Sequence, residues 1–207
     1  GGNLLEAYAT ILKVSLGSQI GWAQTLNKWT PLLLGSIAVA IGNRSGVVNI
    51  GVDGQIFIGG TVATGVAFSL AGFDAPLYVL APIALLAGFI GGGMYSGIAG
   101  FLKARWGVNE IFVTVMMNFI AINIAEYFAS GPWNDIMAGD AITVAIPGST
   151  FLPLLFVRGG GHVGFIIALL VVFLVYFLLE KTVLGYSIKA VGTNPAAAKA
   201  AGINASF

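Results

Sequence analysis

Residues 75–102 carry no charged side chain, and that one stretch narrows the possible folds more than any other feature. A helix of roughly 20 mostly apolar residues is what crosses the ~30 Å hydrocarbon core of a bilayer. Four further stretches read the same way: 55–73 and 163–179 are uncharged, 111–130 carries only Glu126, and 29–42 is uncharged but short. Three of the five (55–73, 75–102 and 163–179) qualify as spans outright. Stretch 29–42 reaches spanning length only by extending back past Lys28, and 111–130 spans only where Glu126 is tolerated. Segment 7–22, with Lys13 among serines and glycines, reads as an interfacial or short re-entrant piece.

Composition excludes the soluble alternative. The chain is 57% hydrophobic and 8% charged, with a mean hydropathy of +0.95, whereas soluble domains run to about 25% charged. Five apolar runs exceed what one soluble core hides. In lipid the outward face is apolar and every backbone polar group is satisfied within the spanning segment, which selects helices. The expected fold is therefore an all-α integral membrane protein, a polytopic helical bundle in one domain over 1–207. A chain that opens on Gly1-Gly2-Asn3 and stops at Phe207 is expected to be a piece of a longer protein, incomplete at both ends.

The formal net charge of +1 provides no field to attract nucleic acid, and the absence of cysteine excludes a disulfide framework and thiol chemistry. His162, beside three glycines, reads as an interfacial loop residue, with no cluster around it to hold a metal. The chain has no G-x-x-x-x-G-K-[ST] phosphate loop and no Ser/His/Asp set. No catalytic residue, metal or cofactor is expected.

Charge distribution orients the bundle. If the connections alternate sides, Arg44, Lys103, Arg105, Lys181, Lys189 and Lys199 fall on one side, and Lys13, Lys28 and Arg158 on the other. The positive-inside rule makes the first side cytoplasmic. The turn at Asp74 and the 131–161 loop are then external.

Three features suggest mechanism. Residues 41–55 place four glycines and several polar side chains in apolar sequence. Transporters use such interruptions where irregular backbone lines a cavity, so a broken or re-entrant segment is expected near 42–55, an exposed cytoplasmic loop being the plainer alternative. Its polar residues Asn49, Asp53 and Gln55 join Asn118, Asn123 and Glu126 of the 111–130 span as candidates for a substrate path. Polar groups in hydrocarbon turn toward the bundle interior or water, and interhelical hydrogen bonding is the alternative role. Gly88, Gly92, Ser96 and Gly100 recur every fourth residue, a stripe that brings helix backbones close; a permeation lining is the minor reading. Finally, Asn194 is placed to cap a helix with Pro195 in its first turn. Residues 196–201 favour helix, and Gly202 fits its stop. The result is a small, smooth helix suited to a groove on a partner.

With these residues in view, the chain resembles the permease subunits of bacterial ABC importers for nucleosides and simple sugars, the ribose-type permease family. Three blocks carry the resemblance: Gly46 through Gln55; Phe101 through Glu110, running into Met117 through Ala121; and Gly185 through Ile203. In order and spacing they cover most of the chain. The resemblance implies that 181–207 is a cytoplasmic coupling-helix region. There Gly192, Asn194, Pro195, Ala197, Ala198, Gly202 and Ile203 would dock on an ATP-binding subunit. It also implies that the first block lies near the translocation path, with Asp53 where the family often has Glu. A second permease subunit, identical or related, and an extracytoplasmic substrate-binding protein would complete an importer in the bacterial cytoplasmic membrane. ATP would be hydrolysed by the partner. The rival readings are a branched-chain amino-acid permease of the same superfamily, an ion-driven secondary transporter and an intramembrane enzyme.

Overall fold

A computed structural model describes residues 3–73, 76–156 and 158–203. Asp74, expected at an external turn, and residues 204–207, the end of the expected coupling region, lie outside the described residues. The helices are α1 (Leu4–Leu16), α2 (Gln19–Arg44), α3 (Val52–Ser69), α4 (Leu77–Trp106), α5 (Glu110–Ser130), α6 (Gly164–Lys181), α7 (Val183–Thr193) and α8 (Pro195–Ala200). Between α5 and α6 lie a 3-10 turn at Gly148–Thr150 and a small antiparallel hairpin of β1 (Leu154–Phe156) and β2 (Gly161–His162). The protein is thus an all-α membrane chain carrying one minor hairpin.

Helices α4, α5 and α6 are long and apolar enough to cross a membrane. With 30 residues, α4 extends about 45 Å at 1.5 Å per residue and exceeds the hydrocarbon thickness, so it tilts or protrudes. Glu126 does not interrupt α5. Helix α2 runs back through Lys28 and Pro31 for 26 residues, the extension that stretch 29–42 needed. Helix α3 differs from expectation: it starts at Val52, ahead of 55, and ends at Ser69. Its 18 residues rise about 27 Å, but with Asp53 and Gln55 in its first turn it is not among the helices apolar enough to cross, contrary to the outright span expected at 55–73.

The chain divides into two compact units, 1–37 with 152–182 and 38–151 with 183–207. In the first, the stretch expected as one interfacial or re-entrant piece over 7–22 is instead two helices broken at Gly17-Ser18. The Ser18 hydroxyl accepts the Gly21 N–H at 3.0 Å, and Thr25 donates back to the Ser15 carbonyl at 3.1 Å. The first bond satisfies a donor that the start of α2 leaves open, and the second an acceptor that the end of α1 leaves open. Asn27 holds the hairpin by donating to the Gly160 carbonyl at 2.9 Å, and Trp29 stacks on Phe165 with ring centroids 5.5 Å apart. His162 accepts the Gly164 N–H at 3.1 Å, so it caps the start of α6.

In the second unit α3 packs against both α4 and α5. Leu80, Ala81, Ala84 and Ala99 of α4, with Met117 and Ala121 of α5, form its buried core, while Leu85, Leu86, Phe89, Ile90 and Met94 face outward. One face of α4 is therefore small and packed and the other large and apolar, as lipid contact requires. A short connection joins α4 to α5. Gly107 closes α4 in the left-handed conformation, and the Asn109 side chain accepts the Ile111 N–H to open α5. Lys103 and Glu110 pair across it.

Candidate functional site

The interrupted segment expected near 42–55 is seven residues of irregular backbone between α2 and α3, and nearly every residue in it is tied down. Ser45 donates its N–H to the Ile41 and Gly42 carbonyls, and Val47 donates to Gly42. Gly46 has φ +76°, a conformation that side-chain-bearing residues resist and glycine adopts freely. Beside Val48, the Glu110 carboxylate at the start of α5 pairs with Lys103. The Asn49 side-chain oxygen accepts the Gly51 N–H at 2.9 Å. Asn49 and Gln55 exchange amide hydrogen bonds in both directions at 3.2 Å.

Asn118 completes the arrangement from α5. Its side-chain oxygen accepts the Gly54 N–H at 2.8 Å, and its side-chain nitrogen donates to the Ile50 carbonyl at 2.9 Å. Gly54 lies in the first turn of α3, whose N–H groups have no intrahelical partner, so Asn118 caps α3 from a neighbouring helix. The close seating explains why Gly54 bears no side chain: a Cβ there would lie 2.8 Å from the Asn118 oxygen.

Of the six residues singled out for a substrate path, the structure pairs Asn49 with Gln55 directly and sets Asn118 beside them on the backbone of Ile50 and Gly54. Asp53 lies beside that group on the first turn of α3, with its side chain exposed. Asn123 and Glu126 stand apart, both exposed on α5. Asn123 donates to the Phe119 carbonyl of its own helix at 2.7 Å. With Phe119, Ile120, Ile124, Tyr127 and Phe128 it borders an open, largely apolar hollow of about 510 Å³. A second hollow of about 260 Å³ lies between α3 and α5, where Phe57, Thr61 and Thr64 meet Trp133 and Thr143.

The glycine stripe of α4 is only half a packing face. A Cβ on Gly88 would sit 2.9 Å from the Gly59 carbonyl oxygen, and one on Gly92 2.9 Å from that of Gln55. Gly100, expected on the same face, has nothing within 4 Å, nor do Gly93 and Gly97. Ser96 is half-buried. A spacing of four advances about 40° beyond a full turn at 3.6 residues per turn, so the stripe winds off α3 before it reaches Gly100.

The C-terminal element has the expected caps. The Asn194 side chain accepts the Ala197 N–H at 3.1 Å, Pro195 opens α8, and Gly202, with φ +81°, follows its end. The Ile203 N–H reaches the Ala198 carbonyl at 3.0 Å, closing the turn. The expected outward row is interrupted: Ala197 is exposed but Ala198 is only 4% exposed, so Ala198 cannot present its methyl to a partner. Gly192 ends α7 directly on the α2–α3 connection, where a Cβ would lie 2.2 Å from the Arg44 carbonyl oxygen. Residues 44–46 and 192, assigned by charge to one side, thus meet in space. Sequence reading gave Gly46 and Glu110 no individual role, used Lys103 only for orientation, and expected Gly192 among the docking residues, whereas the structure packs Gly192 on the α2–α3 connection.

Comparison with known proteins adds family information. The family model described as "Branched-chain amino acid transport system / permease component" matches residues 21–207. A guanosine ABC transporter permease protein of Bacillus subtilis is 34% identical over 99% of this chain and 58% of its own length. A glucose ABC transporter permease protein of Haloferax volcanii is 30% identical over 97% of this chain and 54% of its own. A nucleoside ABC transporter permease protein of Lactococcus lactis is 28% identical over 99% of this chain and 58% of its own. The chain therefore spans a little over half the length of these relatives. No solved structure matches it.

Proposed function

Because this chain belongs to the branched-chain amino acid transport system / permease component family, and so is a multi-pass protein of the cytoplasmic membrane, we propose that it forms the membrane path of an ATP-driven importer for nucleosides or simple sugars. The family description names branched-chain amino acids, but the named relatives are permease proteins for guanosine, glucose and nucleosides. Those relatives share most of this chain, so they favour the nucleoside and sugar reading over the amino-acid one.

In this reading α7 and α8 form the cytoplasmic surface on which an ATP-binding subunit docks. The observation that carries it is the geometry of α8: a short helix capped by Asn194 and stopped at Gly202, exposed along Pro195, Ala196 and Ala197. A partner groove can approach such a surface without displacing long side chains. ATP would be hydrolysed on that partner and this chain would do no covalent chemistry. A second permease subunit would close the path across the membrane, and an extracytoplasmic protein would deliver the substrate. The polar group at Asn49, Gln55 and Asn118, with Asp53 beside it, would lie at the cytoplasmic end of that path.

The test is uptake by the full transporter reconstituted in liposomes with its neighbouring ATP-binding subunit. ATP-dependent entry of labelled guanosine or ribose, without entry of leucine, is expected; leucine entry alone would move the substrate to amino acids. Ala197→Glu should reduce copurification of the ATP-binding subunit and abolish uptake while membrane insertion persists. Uptake that continues without any ATP-binding subunit would overturn the reading in favour of a secondary transporter.

A further inference from the structure

Resting on that reading of α8, we infer that residues 44–54 are a rigid strut through which displacement of α7 and α8 reaches the polar group at the start of α3, with Gly192 and Glu110 as its positioning residues. The strut is gripped at each end and steadied in the middle. Gly192 presses on its beginning, so closely that a Cβ would meet the Arg44 oxygen at 2.2 Å and the Ser45 carbonyl carbon at 2.8 Å. Gly46, on the other side of the contact, would bring a Cβ within 3.1 Å of the Gly192 Cα. Glu110, paired with Lys103, faces the Val48 N–H in the middle. Asn118 holds the end through Ile50 and Gly54.

Rigidity follows from the hydrogen bonding between these grips. The turn at Ser45 to Val47 is closed by backbone bonds to Ile41, Gly42 and Asn43. The Asn49–Gln55 amide pair ties the last irregular residues to α3. A backbone bonded this densely has few soft dihedrals left to absorb a push. Coupling can be carried by packed and hydrogen-bonded groups, and here one short stretch of backbone leads from the Gly192 contact at 44–46 to the Asn118 bonds at Ile50 and Gly54. Contact at Gly192 is backbone on backbone, so a shift there has no flexible side chain in which to dissipate.

Two variants of the full-length protein in the assembled transporter test this. Gly192→Ala forces the loop away from α7, and Glu110→Gln weakens the support in the middle with little change of shape. Each is read by hydrogen exchange at 48–55 and by substrate moved per ATP hydrolysed, in preparations that retain the ATP-binding subunit. Faster exchange at 48–55 is expected in both, because local opening sets exchange, together with a drop in substrate moved per ATP of about tenfold, within the usual span of coupling between sites. Ala197→Glu, on the outer side of α8, should leave exchange at 48–55 unchanged while removing the partner. Unchanged exchange in both strut variants, or altered exchange with an unchanged transport ratio, would overturn the strut. Failure of wild-type ATP-dependent uptake would instead remove the docking reading, and the exchange measurement would still decide the mechanical link. Should Gly192→Ala not fold, Glu110→Gln alone carries the test.

Discussion

Asn118 and Gly54, 64 positions apart in sequence, meet in a 2.8 Å hydrogen bond from the backbone N–H of Gly54 to the side-chain oxygen of Asn118. The bond supplies from α5 what α3 lacks locally, since Gly51 at its N-terminus has no side chain to cap it. Leaving one such donor buried without a partner costs about 1–3 kcal/mol. Asn118→Ala should therefore lower the thermal midpoint of the full-length protein in detergent. Asn118→Asp keeps the acceptor and loses only the donor to Ile50, so its midpoint should fall less. Equal losses in the two variants would show that the cap on Gly54 is not the dominant contact.

Packing between α3 and α4 makes a second prediction by contrast within one helix. Gly88 abuts the Gly59 oxygen at 2.9 Å and the Ala63 methyl at 3.1 Å, measured from where its Cβ would stand, whereas Gly97 meets nothing within 4 Å. Gly88→Ala should destabilise by about 1–3 kcal/mol through overpacking. Gly97→Ala should be neutral or stabilising by up to about 1 kcal/mol, since glycine in a helix interior is entropically costly. A thermal-shift series over both variants checks the sign at each site, and a destabilising Gly97→Ala would mean that this face is covered in the assembled transporter.

What was legible in sequence followed how local each feature is. Asn194, Pro195 and Gly202 announce a capped helix through rules that operate within a few residues, and they stand where those rules put them. The apolar runs gave the helices for the same reason, because lipid makes hydropathy a direct measure of environment. The role of Asn118 was hidden because its partners are distant in sequence, and a polar residue in a span reads equally as path or as cap. Gly100 was misjudged by treating a spacing of four as a fixed face, when the row winds around the helix. The burial of Ala198 depends on how α7 and α8 fold together, which alanine-rich sequence cannot indicate. Gly46 and Gly192 are close only because two chain reversals meet, and nothing in either neighbourhood specifies the other.

A third prediction concerns the loop that follows α5. Trp133 stacks on Phe128 with ring centroids 4.4 Å apart and meets Phe68 edge-on at 5.4 Å. It donates its backbone N–H to Phe128 and accepts from Val144. Such aromatic pairs contribute about 0.5–1.5 kcal/mol beyond the area they bury. Trp133→Ala should loosen 131–144 without unfolding the spans, seen as faster protease cleavage within the loop at an unchanged cleavage rate elsewhere. Trp133→Phe should recover most of the protection, and a variant loop as resistant as the wild type would show that the backbone bonds alone hold it.

Orientation gives the last prediction, and the chain is well suited to it because it contains no cysteine. Single thiols can therefore be placed without background from this chain. Lys199 is exposed on α8 and Met137 is 95% exposed in the loop beyond α5. Gly192 of α7 packs on Arg44, and Arg44, Lys103 and Arg105 belong to the charge-rich set of connections that the positive-inside rule would place in the cytoplasm. Met137→Cys should react with a membrane-impermeant maleimide in intact cells, and Lys199→Cys only after permeabilisation. The contrast is robust because the two residues belong to the same compact unit, and Met137 follows the Ser130 end of α5, opposite the end at which Glu110 pairs with Lys103. Labelling of Lys199→Cys in intact cells would put α8 outside, where no ATP-binding subunit could reach it, and both the docking surface and the strut would lose their source of motion.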